Sequence, residues 1–253
     1  MILKRISLYL LLVLSFGFPA ISYANDKVIK LTTLEWPPYA SEKLPQQGAA
    51  IAIARAAFAS MGYELQVDFY PWSRAVAFSQ DSDSPYIGYF PEYFSHQTEK
   101  EFVYSDAFAS GPLGFAERKD KSVQWTELEG LTPYRIGVVQ DYINTEKFDG
   151  MMINKTLITS STLNDSTNLR KLISGRIDLA VIDKHVMDYL FKTEAALATE
   201  TDKIQFNSRI LENKSLYICF NKTDEGYKMA DIFNQGLKKI DAAAILAQHL
   251  PSL

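Results

Sequence analysis

Few of the side chains that perform covalent chemistry stand at spacings that would let them do it. His96, His185 and His249 are far apart, and no His-Glu-x-x-His or Cys/His grouping is present, so no metal site is implied. Cys219 is the only cysteine. It sits in the apolar run Leu216-Tyr217-Ile218-Cys219-Phe220, the setting of an inert core thiol and not of a nucleophile. There is no Gly-x-Ser-x-Gly elbow, Walker loop or dinucleotide fingerprint, and Gly111 and Gly114 are too few to cradle a pyrophosphate, so no cofactor is implied. Recognition chemistry is better represented. In Pro71-Trp72-Ser73-Arg74 a guanidinium stands near an indole in the first turn after a strand, on the side where open α/β sheets gather ligands. Trp72 and Arg74 would then form part of a pocket floor; the alternative is a surface arginine on a helix whose tryptophan is core.

The elements that would position such a pair alternate between short apolar runs and amphipathic helical runs, which predicts an α/β protein with mixed sheets flanked by helices. Val28 to Leu34 reads as a first strand. Gly48 to Met61 reads as a helix with Ile51, Ala54, Phe58 and Met61 on one face, stopped by Gly62. A strand from Glu64 to Tyr70, a helix entered through Pro71 and a strand from Tyr86 to Phe90 complete a β-α-β-α-β unit. After the polar stretch Ser95 to Glu101, Phe102 to Arg118 reads as extended, and a charged linker follows from Glu117 to Lys121. The same rhythm then recurs: strand Tyr134 to Val139, helix Asn144 to Met151, strand Thr156 to Thr159, a helix from Ser166 capped by Asp165 or Ser166, and strand Ile177 to Ile182. A strand from Ser215 to Phe220 returns to the first unit, covered by helices Asp224 to Ile240 and Ala242 to Leu250. Two chain crossings between two lobes make a hinge, and a hinge implies a cleft. The expected division is lobe 1 from 25–116 and 215–253, and lobe 2 from 117–214.

Lys4 and Arg5 before the apolar run Ile6 to Phe16, with Ser22-Tyr23-Ala24 supplying small residues, predict an export signal over 1–24 and a periplasmic mature protein. No second apolar run of about 18 residues follows, so no membrane anchor is expected. The chain carries 30 acidic against 26 basic side chains, two of the latter within the leader, and this mild negative balance argues against nucleic-acid binding.

Several segments in this order resemble the periplasmic substrate-binding proteins of polar-amino-acid ABC importers. They are Glu35-Trp36-Pro37-Pro38-Tyr39, Tyr104-Ser105-Asp106-Ala107-Phe108 leading into Ser110-Gly111-Pro112-Leu113-Gly114-Phe115, Ile136-Gly137-Val138-Val139, and Gly175-Arg176-Ile177-Asp178-Leu179-Ala180-Val181-Ile182-Asp183. The resemblance covers essentially the whole mature chain and implies a two-lobed periplasmic-binding-protein fold with two hinge strands. It also implies a small-molecule ligand taken up by lobe closure, an ABC-importer permease as partner, and no catalysis. It points to Asp183 as the carboxylate that meets a ligand ammonium, with helix capping as its other reading. It further points to Ser110 and Gly111 as backbone and hydroxyl contacts, and to Trp36 and Tyr39 as aromatic walls. Glu35, beside them, belongs to the same candidate loop.

Two departures from the family pattern bear on the ligand. Where members keep an arginine that clamps a carboxylate, this chain has Thr98, whose hydroxyl cannot replace a guanidinium fork; Arg74 or Lys100 would have to substitute. Where members carry a Gly-Thr pair at a helix start, this chain has Asp141-Tyr142, and an aspartate repels an anion. Both changes favour a neutral or cationic solute. The rival readings are a cyclohexadienyl-type dehydratase on the same clamp, with Glu35 or Glu92 as general acid, and a ligand-sensing protein for a membrane receptor.

Overall fold

The computed structural model describes residues 27–250; the export signal read over 1–24 lies outside the described residues. Strand β1 (Val28–Thr33) is followed by α1 (Ala49–Ser60), β2 (Glu64–Phe69), α2 (Trp72–Gln80) and β3 (Gly88–Tyr93), the unit expected from the periodicity. Ile51, Ala54 and Phe58 of α1 are fully buried, and the helix ends at Gly62, whose φ of 79° is a left-handed conformation that a side chain disfavours.

The polar stretch after β3 is not a loop. It forms α3 (His96–Glu101), although it shows no apolar periodicity, because local polar contacts supply the order. The Ser95 hydroxyl accepts the Thr98 amide at 3.0 Å, and Gln97 reaches Glu101 one turn on.

Strand β4 (Phe102–Tyr104) leads to β5 (Ala109–Arg118), the longest stretch of extended chain in this half. The second half contains β6 (Arg135–Val139), α4 (Glu146–Ile153), β7 (Ile158–Thr162), α5 (Asp165–Ile173), β8 (Leu179–Asp183), α6 (Lys184–Thr193), α7 (Ala195–Ala198) and β9 (Ile204–Phe206). Strand β10 (Glu212–Asn221) then returns, and α8 (Asp224–Leu237) and α9 (Ala242–His249) close the chain. Helix α8 packs on α1, with Phe233 5.3 Å from Phe58 between ring centres and Gly236 letting the two backbones approach at Ala57.

Among the described residues, all ten strands join one sheet, ordered β2-β1-β3-β10-β5-β8-β6-β7, with β4 on β10 and β9 on β5. Strands β1, β2 and β3 are mutually parallel, as are β6, β7 and β8. The antiparallel pair β5 and β10 lies between the two groups. Strand β5 changes partner along its length: Ala109 to Leu113 face β10, and Leu113 to Glu117 face β8. Strand β10 does likewise, leaving β5 at Leu216 to pair with β3.

Glu117, read from sequence as the start of a charged linker, is 1 % exposed. Its carboxylate accepts from Ser122, the Val123 amide, Gln205 and Asn207 at 2.7–2.9 Å, so it anchors the segment around β9 to β5. A buried carboxylate held by four donors is satisfied without a cation.

Candidate functional site

The C-terminal ends of β1, β3 and β8 converge with the loop after β6 and the start of α5, and the aromatic residues of one half meet the carboxylates of the other. The loop after β1 closes on itself through paired backbone bonds between Trp36 and Ala40, and Trp36 and Tyr39 stack with ring centres 4.6 Å apart. Tyr39 is fully buried, and its hydroxyl lies 3.3 Å from each oxygen of Asp183, the last residue of β8. Both sequence readings of Asp183 bear on this position: Oδ1 accepts the amides of His185 and Val186 at the start of α6, and Oδ2 remains directed at Tyr39 and Gly111. Gly111 is where β5 passes closest, since a methyl group there would overlap both Asp183 Oδ2 and the Tyr39 hydroxyl.

Three carboxylates around this meeting point are nearly dry. Asp183 is 2 % exposed and its pKa is pushed up to about 7, because burial outweighs the two amides and the Tyr39 hydroxyl that favour its charged form. Asp165 opens α5, yet it is Asn164 that caps the helix by accepting the Thr167 amide at 2.8 Å, so the Asp165 carboxyl is free to turn inward. It too is pushed up to about 7, by burial first and by the Asp183 charge second, with the Trp36 side chain partly offsetting both. Glu92 on β3 is raised to about 8 by burial, against the Tyr93 amide at 2.8 Å, the Tyr89 hydroxyl at 3.1 Å and the charge of Lys214. Lys214 is itself buried on β10, 3.5 Å from Glu212 and 5.4 Å above the Tyr93 ring.

Two adjoining cavities open beside these groups. The first, about 20 Å³, is lined by Leu34, Trp36, Trp72, Pro91, Glu92, Tyr93, Tyr142, Ile143 and Leu216. The second, about 260 Å³, shares Trp72, Glu92 and Ile143 with it and adds Thr98, Glu101 and Asp141 among others. Among the described residues that line the two cavities, none carries a positive charge.

The structure thus gathers most of the sequence candidates and leaves others outside. Trp36, Tyr39, Gly111 and Asp183 touch or nearly touch; Trp72 and Tyr142 line the first cavity with ring centres 6.0 Å apart. Asp141 joins the two halves, its carbonyl accepting the Trp72 indole N–H at 3.1 Å and its carboxylate accepting the Ser73 hydroxyl at 2.5 Å. Ser110 is half-buried, next to Gly111 on β5. Arg74 is exposed and lines neither cavity, because Trp72 and Ala75 occupy the inward face of α2. Lys100 reaches Gln97 at the surface, and Glu35 is an exposed brace that accepts the Glu42 amide. Thr98, at the position of the missing arginine, lines the second cavity. Sequence reasoning missed Tyr93, Lys214 and the inward turn of Asp165. The signal for the last was present in Asn164-Asp165, two residues able to cap a helix that needs one.

An open mixed sheet whose two parallel groups are bridged by a shared antiparallel pair, with aromatic and acidic side chains meeting between them, is the two-lobed periplasmic-binding-protein fold. The solved structures similar to this chain agree. A histidine kinase sensor domain with similarity to periplasmic binding proteins matches at 19% identity and TM-score 0.73, over 90% of this chain and 99% of its own. An amino acid ABC transporter substrate-binding protein from Streptococcus pneumoniae, bound to L-arginine, matches at 13% identity and TM-score 0.68, over 87% and 92%. The ancestral amino acid-binding protein AncCDT-1, a precursor of cyclohexadienyl dehydratase, matches at 16% and 0.67, over 88% and 93%. A scan of family models finds no match, and neither does a search of curated proteins. The resemblance read from the sequence therefore stands at the level of the fold. Among the described residues no helix is long and apolar enough to cross a membrane.

Proposed function

We propose that this chain is a periplasmic solute-binding protein that clasps a small polar molecule between its lobes and hands it to an ABC importer, without altering it. The observation that carries this reading is the contact of Tyr39 with Asp183, residues on opposite sides of the sheet's central pair, inside a ring of aromatic side chains next to two cavities. The exchange of partners along β5 and β10 supports a hinge near Leu113 and Leu216, close to the lobe limits 25–116 with 215–253 and 117–214. Solute that touches both lobes only when they are closed shifts the open-closed equilibrium by the difference in its affinity for the two forms.

Trp36, Tyr39, Trp72, Ser110, Gly111, Asp141, Tyr142 and Asp183 remain the candidate contacts, while Glu35 and Arg74, both exposed and lining neither cavity, do not. A thermal-shift screen against amino acids, amines and organic acids tests the reading, since solute at 100 times its dissociation constant adds about 2.7 kcal/mol of apparent stability. Small-angle scattering on a hit must show a smaller radius of gyration; a radius that never contracts refutes lobe closure.

One observation favours an enzyme on the same clamp: Glu92, raised to about 8, holds a proton at neutral pH as a general acid must. Both of its oxygens are engaged, by the Tyr93 amide and the Tyr89 hydroxyl, and no guanidinium lines the cavities to hold an anionic substrate. Product analysis of the same screen separates the two readings. A sensory role uses the same clamp and is distinguished by which membrane protein the closed form binds.

A further inference from the structure

We infer that the solute is a linear diamine or polyamine lacking a carboxylate, with one ammonium between Asp165 and Asp183 and the other in the acidic cavity beyond Trp72. This rests on the solute-binding reading and names the chemistry of its guest.

The first pole is defined by what its atoms can accept. Asp165 and Asp183 bring two carboxylates into one buried region. Tyr93, 7 % exposed and a lining residue of the first cavity, places there a hydroxyl that has no hydrogen-bond partner among the described residues. The buried Nδ1 of His185, which follows Asp183 on α6 and whose ring lies edge-on to Tyr39, likewise has none. Buried polar atoms without partners are uncommon, so a cluster of them beside carboxylates marks where a guest donates. A primary ammonium has three N–H donors and no acceptor, which matches two carboxylates, a hydroxyl oxygen and a ring nitrogen; a quaternary ammonium has no N–H to give, and a ligand carboxylate would lie against two carboxyl groups that repel it when ionised.

The middle is apolar. Leu34, Trp36, Trp72, Ile143 and Leu216 wall the first cavity, which at about 20 Å³ has room for one water in this form and would take a methylene chain only as the lobes part. The second pole lies past Trp72, where Glu101 and Asp141 line the larger cavity with no cation among its lining residues. Lys214, the buried cation nearby, lies 3.5 Å from Glu212 and acts on Glu92 and Asp149, so its charge is already partly offset by carboxylates. A carboxylate at each end and hydrocarbon between them is complementary to a chain with an ammonium at each end.

The test is calorimetric titration of the mature chain with putrescine, cadaverine and spermidine, with n-butylamine, choline, L-arginine, L-glutamine and L-glutamate as comparisons. A diamine or polyamine should bind at least 10-fold more tightly than butylamine and more tightly than every amino acid. Asp165→Asn and Asp183→Asn should each weaken both diamine and butylamine at least 10-fold, while Glu101→Gln should weaken the diamine and spare butylamine. Equal affinity for butylamine and diamine removes the second pole and overturns the inference, as does preference for choline. Tight binding of a zwitterionic amino acid overturns it and leaves the solute-binding reading intact. No binding by any compound, with an unchanged scattering radius, overturns both. The ranking of compounds on the unsubstituted chain decides even where a variant fails to fold.

Discussion

Replacing Gly111 by alanine should hold the lobes apart. The added methyl group would overlap the Asp183 carboxylate and the Tyr39 hydroxyl, and neither has room to retreat. Asp183 is pinned by two amides of α6 through Oδ1, and Tyr39 is fully buried and stacked on Trp36. Relief then comes from separating the two halves, because those residues approach each other only across the central strand pair. Forcing a methyl group into packed surroundings costs about 1–3 kcal/mol. At about 1.4 kcal/mol per factor of ten, the closed population falls roughly 5- to 150-fold. Apparent affinity for any clasped solute falls by the same factor, since it scales with the fraction of molecules able to close. Titration calorimetry and small-angle scattering on the purified variant measure both quantities. Wild-type affinity together with a compact bound form would refute this account of Gly111 as the point of closest approach.

Acidity should stabilise the folded, solute-free chain relative to mild alkali. Glu92, raised to about 8, and Asp165 and Asp183, raised to about 7, keep their protons after the unfolded chain has lost them near its ordinary carboxylate pKa of about 4. The folded state binds more protons in that window, so this contribution is complete below about pH 4 and is lost as pH rises through about 7 to 8. Asp149, also raised by burial, adds in the same direction. His185, lowered by burial, acts oppositely and favours folding as pH rises through its ordinary 6.5; Lys184, Asp188 and Lys214 supply the charges that face these groups. Urea denaturation from pH 4.5 to 8.5 should show stability falling from the acid end up to about pH 8, and a monotonic rise would contradict the buried carboxylates. Glu117→Gln puts an amide N–H₂ where two donors now converge, and should cost about 1–3 kcal/mol of folding stability by the same denaturation measurement. Phe58→Ala removes a fully buried ring between α1 and α8 and should cost about 3–5 kcal/mol; a loss under 1 kcal/mol would mean the two helices do not share that core.

The alternation of strands and helices was legible because each element carries its own period, and the capping role of Asp183 followed from its place between a strand and a helix. Cys219 as a core thiol was legible for a similar reason, the apolar run around it, and it is fully buried. Helix α3 was not, since its six polar residues show no face; its order comes from the Ser95 cap and polar side-chain links. The outward direction of Arg74 was one of two readings the sequence left open, and the helical phase that Trp72 and Ala75 set by turning inward decides between them. The proximity of Asp165 to Asp183, on different elements, is a product of tertiary packing that neither local pattern encodes. The same holds for Lys214, whose strand was expected to start one residue later, at Ser215, and which ends buried over Tyr93.

The partner exchange along β5 and β10 limits the kind of movement this molecule can make. Two neighbouring antiparallel strands joined by a ladder from Ala109–Leu216 to Leu113–Glu212 behave as a ribbon, stiff against stretching and sideways shear but yielding to bend and twist. Under the proposed lobe closure, motion is a rotation about that ribbon, and the mouth between the halves opens along one arc, past the contact of Ser73 with Asp141.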